Sequence, residues 1–116
     1  MHRTELPALE KAQRLFSFFA DLMAARCPEF RLISPAMPES RGSQIAFAHA
    51  QAAAIMSALI SDGVVGDHRA PDVLRFGLTP LYLRLQDIWY AVDRLAAIMA
   101  AGTWQLPEHA RIRRVT

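Results

Sequence analysis

The apolar residues of this chain change period along its length, and that change limits the available folds more than any single motif does. Over residues 6–25, Leu9, Ala12, Phe16, Phe19 and Met23 recur at steps of three and four, which predicts a long amphipathic helix. Leu15, Phe18 and Leu22 widen its stripe, so the helix is expected to be covered on more than one side. Thr4 is placed to cap it, Pro7 is tolerated in the first turn, and Pro28 stops it.

Shorter pieces follow. Residues 30–33 read as a strand, and 34–40, with Pro35 and Pro38, as a loop. Residues 43–49 alternate, Ile45 and Phe47 on one face and Gln44, Ala46 and Ala48 on the other, as a half-buried strand does. The helical period returns over 50–61 with Ala52, Ile55, Met56, Leu59 and Ile60, and Gly63 supplies a left-handed stop. Val64 and Val65 begin a third extended piece that breaks at Gly66; residues 68–72, with Pro71, form a turn. Residues 73–78 are the fourth strand, where Gly77 permits a bend or a close approach. The last helix spans 85–101 on Ile88, Val92, Leu95 and Met99, and Gly102 ends it. This order predicts an α+β fold, a small, mainly antiparallel sheet flanked by helices. It forms a single domain over 1–116: a leading helix to residue 27, an αβ core over 28–104 and a tail over 105–116.

Composition removes several function classes. The net charge of +2 gives no reason to expect a polyanionic partner. Arg111, Arg113 and Arg114 have no aromatic platform alternating with them, so nucleic acid is not expected. No apolar run approaches the ~20 residues of a membrane span, and His2, Arg3 and Glu5 do not open a signal peptide. A cytoplasmic protein without membrane contact is expected. Cys27, the single cysteine, precludes an internal disulfide and reads as a small apolar residue rather than a catalytic thiol. His2, His49, His68 and His109 show no ligand spacing, so no metal site is expected. Trp89 and Trp104 read as packing residues. The hydrophobic share of 53% is somewhat high, as suits a domain partly covered by another.

One residue conflicts with its surroundings. Arg75 interrupts the apolar run Val73-Leu74-Arg75-Phe76. If it points into the domain it must meet an anion, because burying an unpaired charge is costly. A guanidinium suits a carboxylate, which it grips through two parallel hydrogen bonds. The anion is either a ligand or an internal partner, with Asp67, Asp72 and Asp87 as candidates.

The segments Arg41-Gly42-Ser43-Gln44, Ala58-Leu59-Ile60 and Gly63-Val64-Val65-Gly66-Asp67 then occur in order. After them come Arg69-Ala70-Pro71-Asp72, Leu74-Arg75-Phe76-Gly77, Thr79-Pro80-Leu81-Tyr82, Asp87-Ile88-Trp89 and Ala91-Val92. Together they resemble the C-terminal part of the kynureninase family, within the fold-type I pyridoxal-phosphate superfamily. The resemblance extends from the first helix to Trp104. It implies the small domain that packs over a cofactor domain, with residues 1–27 as the junction helix. It also implies that Arg75 binds the α-carboxylate of an amino-acid substrate, that Gly77 and Pro80 shape the approach, and that Tyr82 packs. For the whole enzyme it implies hydrolysis of L-kynurenine to anthranilate and L-alanine, in tryptophan catabolism, with pyridoxal phosphate held by a large domain. Lys11, the only lysine, carries no motif around it, so no cofactor-binding or catalytic residue is assigned. The chain is therefore expected to be inactive without a pyridoxal-phosphate-binding large domain or subunit as partner. A homo-oligomer is expected as well, because the face that meets the large domain would otherwise be an apolar patch. Two alternatives stay open: a stand-alone self-associating or partner-binding module, and the small domain of another class V aminotransferase-like enzyme.

Overall fold

The structure is a computed structural model that describes residues 8–33, 44–78 and 83–109. The loop expected at 34–40, Pro80, Tyr82 and the arginine cluster at 111–114 lie outside the described residues. Its elements run α1 (Ala8–Arg26), β1 (Arg31–Leu32), β2 (Gln44–Ala48), α2 (Ala52–Ser61), β3 (Asp67–Arg69), β4 (Val73–Gly77) and α3 (Leu85–Ala101), with a short 3₁₀ turn at Thr103–Gln105. The strands form one sheet in the order β1-β2-β4-β3, every neighbouring pair antiparallel. This is the expected α+β fold.

Strand alternation divides the sheet into two unlike faces. Ile45 and Phe47 of β2 pair with Phe76 and Leu74 of β4, and all four are buried. Against them α1 lays Phe19, whose ring centroid lies 5.6 Å from Phe47 and 5.1 Å from Phe76. Leu15, Phe16 and Met23 of α1, Ile55, Met56 and Leu59 of α2, and Ile88, Val92, Leu95 and Ile98 of α3 complete one core. A core Phe truncated to alanine costs about 3–5 kcal/mol, so Phe19 is a substantial tie between α1 and the sheet.

Side chains and caps hold the helices in place. Arg26 of α1 reaches Asp93 of α3 at 3.2 Å, and Arg94 of α3 reaches Asp62 at the end of α2 at 3.1 Å. Asp87 accepts a hydrogen bond from the Arg84 backbone N–H at 2.9 Å, closing the first turn of α3. Gly102 ends that helix with φ +73°, as the periodicity predicts.

Three expectations need correction. Val64 and Val65 do not form a strand. Gly63, at φ +87°, turns the chain out of α2, and the Val64 N–H bonds back to the Leu59 carbonyl, so this backbone serves the helix end. The strand instead begins at Asp67, which shortens the expected turn to Ala70–Asp72. Ile60 does not join the buried face of α2 but stays 53% exposed, whereas Ala53, Ala54 and Ala58 are buried. Trp89 is half exposed under the Arg26 guanidinium, 5.9 Å from its ring centroid, while Trp104 packs against the core.

Candidate carboxylate site

Because Leu74 and Phe76 face the helices, Arg75 between them must face the other way. It does not enter the domain interior, as a buried arginine would. It stands half-buried on the opposite face of the sheet, with Ala46 of β2 and Asp67 of β3 as its register partners. Of the three internal acids named from sequence, Asp67 is the one that pairs with it. Arg75 Nε donates to Asp67 Oδ1 at 2.9 Å and Nη2 to Oδ2 at 2.8 Å, a two-bond fork. These bonds hold the Asp67 carboxyl below its ordinary pKa of 3.8 and push the guanidinium's higher still, so both stay charged at neutral pH.

The pair borders a cleft of about 260 Å³ lined by Gln44, Val65, Gly66, Asp67, Arg75, Phe76 and Gly77. Two glycines shape it in opposite ways. A Cβ on Gly66 would fall 2.9 Å from the Arg75 carbonyl oxygen and 3.0 Å from both Met56 and Phe76, so only glycine lets β3 start this close to β4. A Cβ on Gly77 would meet nothing within 4 Å, so that glycine leaves open space at the mouth. Val65, 89% exposed, supplies an apolar wall. Among the described lining residues the charge is one cation with one internal anion, and the remaining guanidinium donors suit a second carboxylate.

The residues present do not fit pyridoxal phosphate as a group resident on this chain. Its aldehyde needs an amine, and Lys11, the only lysine, lies on α1 and is not among the cleft's lining residues. Among the described residues no cluster of His, Cys, Asp and Glu could hold a metal. No helix among them is long and apolar enough to cross a membrane.

Two other polar arrangements lack any sequence signal. His49 Nδ1 accepts the Gln51 N–H at 3.0 Å while its ring lies 4.7 Å from Phe30 and 6.5 Å from Trp104; burial lowers its pKa. Ser57 Oγ and the buried His109 Nδ1 share a hydrogen bond at 2.7 Å, tying the segment after α3 to α2. Neither borders the cleft. Cys27 is buried, and its thiol is pushed up to about 11, the state of a packing residue.

Comparison with known proteins identifies the family. The family model of the kynureninase C-terminal domain matches residues 9–95. Kynureninases of Burkholderia mallei (strain SAVP1) and Burkholderia pseudomallei (strain K96243) are each 40% identical over 117 residues, covering 98% of this chain and 28% of their own length. That of Pseudomonas fluorescens is 38% identical over 105 residues, 88% of this chain and 25% of its own. The chain thus spans about a quarter of these relatives. Because the family model matches residues 9–95, about three quarters of the sequence, the chain belongs to the kynureninase C-terminal domain family.

Proposed function

We propose that this chain acts as the substrate-carboxylate half of a kynureninase, the enzyme that hydrolyses L-kynurenine to anthranilate and L-alanine. The cofactor domain is supplied by residues outside this sequence. Pyridoxal phosphate there provides the electron sink for breaking the Cβ–Cγ bond; the residues described here bind and orient. Arg75 grips the α-carboxylate of kynurenine, Val65 and the space beside Gly77 admit the amino-acid end, and the strand pairing of β2, β3 and β4 keeps the guanidinium in register. The observation that carries this reading is a charged arginine on the open sheet face, bordering a cleft and held by one internal acid. Leu85, Trp89 and Tyr90, each about half exposed on α3, support the expectation that part of the helix layer is also covered in the assembled enzyme.

Mixing tests the proposal. The chain is combined with the remaining part of a relative such as the Pseudomonas fluorescens kynureninase, with pyridoxal phosphate present, and anthranilate is followed by fluorescence. Release that needs both pieces and disappears in Arg75→Ala is the expected result. Release that is indifferent to Arg75→Ala would refute the assigned role.

A further inference from the structure

A guanidinium presents five N–H donors in one plane, enough for two carboxylates at once, one side-on and one end-on. In this structure the side-on edge is taken, Nε and Nη2 each bonding one oxygen of Asp67 at 2.9 and 2.8 Å. Among the described residues Asp67 is the only hydrogen-bond acceptor of the Arg75 guanidinium, and none of them takes the end-on fork of Nη1 and Nη2. We propose that Asp67 is a positioning residue for Arg75, fixing its side-on edge so that the end-on fork is presented to a ligand carboxylate. This rests on the reading of Arg75 as the carboxylate anchor. A ligand then binds beside Asp67 and does not expel it.

The backbone places Asp67 for this purpose. Its Cα is the register partner of Arg75, and its side chain lies on the same open face. Gly66 immediately before it permits the close start of β3 that sets this register. Asp67 is 54% exposed and Arg75 24%, so the acid sits at the more open end of the pair and steadies the base from outside. Without Asp67, the long arginine side chain would have to be immobilised by the ligand itself, a cost equivalent to about two- to tenfold in affinity. A purely coulombic account makes the opposite prediction: removing a negative charge beside Arg75 should tighten the hold on an anion.

The test is an NMR titration of the full chain with acetate, against chloride at matched ionic strength, read at the Arg75 side-chain resonances and the Gly77 and Val65 amides. Asp67→Asn keeps the size but sets an amide donor against a guanidinium donor, breaking the fork; Asp67→Glu keeps the carboxylate with a longer reach. We expect acetate to shift the wild-type Arg75 signals. Asp67→Asn should weaken binding about two- to tenfold, with Asp67→Glu recovering part of the loss. The Arg75 Nε–H should also exchange faster with water in Asp67→Asn before any acetate is added. Binding to Asp67→Asn as tight as wild type, or tighter, overturns the positioning role while leaving Arg75 as the anchor. Acetate shifts that are missing in the wild type, or that persist in Arg75→Ala, overturn the anchor itself and the role of Asp67 with it.

Discussion

Gly66 and Gly77 line the same cleft, yet alanine should move stability in opposite directions at the two positions. At Gly77 the new methyl meets open space and the backbone is not in the left-handed region. The main effect is then a stiffer unfolded chain, a gain of about 0.4–1 kcal/mol. At Gly66 the same gain is outweighed. The methyl would lie 2.9 Å from the Arg75 carbonyl oxygen, which is backbone and cannot swing aside. Overpacking of this kind costs about 1–3 kcal/mol, leaving a net loss of about 1–2 kcal/mol. Unfolding entropy of about 2.1 cal/mol/K per residue over 116 residues comes to about 0.24 kcal/mol/K. Gly66→Ala should therefore lower Tm by about 4–8 °C and Gly77→Ala raise it by about 2–4 °C. Calorimetry or circular dichroism melts of both variants read this directly. If Gly66→Ala melts at or above the wild-type temperature, the close start of β3 against β4 is wrong, and with it the placement of Asp67.

Three further outcomes follow from the protonation states. His49 has a pKa held below its ordinary 6.5 by burial, so its contribution to stability is full above that value and declines as pH falls from 6.5 toward the depressed value. Urea midpoints should fall over that interval in the wild type and fall less in His49→Gln; equal slopes would contradict the neutral, hydrogen-bonded ring. Cys27, with a thiol pushed up to about 11 inside the core, should react with a thiol reagent only on unfolding; fast labelling of the native chain would refute its burial. The carboxyl of Asp67, held below 3.8 by Arg75, should return toward 3.8 in Arg75→Ala when titrated by carbon NMR, and an unchanged value would mean the ion pair does not form in solution.

Much of the fold was legible because its elements are defined by periodicity. The stripe of Phe16, Phe19 and Met23 predicts α1, and the alternation of Ile45 and Phe47 predicts β2 and its buried face. Gly102 marks the end of α3 to the residue. The errors arose where backbone hydrogen bonding overrides side-chain character. Val64 and Val65 have strand-forming side chains, but the turn at Gly63 commits the Val64 backbone N–H to the end of α2, and the polar Asp67–Arg69 pairs with β4 instead. Arg75 stands out from the sequence as the odd residue of β4, but its direction had to come from the structure. The alternation that buries Leu74 and Phe76 also turns it outward, where its charge needs less compensation than in a core. The choice of Asp67 over Asp72 and Asp87 depends on strand register, and spacing carries no signal for the His109–Ser57 pair, 52 residues apart.

The most direct test of Arg75 compares two ligands that differ by a single carboxylate. In the complex of this chain with a cofactor domain, affinities are measured for L-kynurenine and for its decarboxylated amine, in wild type and in Arg75→Ala. A charge-assisted two-bond grip predicts that the wild type prefers the carboxylate-bearing ligand by about ten- to a hundredfold, and that the preference falls to near unity in Arg75→Ala. A preference that survives the substitution undiminished would mean that another group holds the acid.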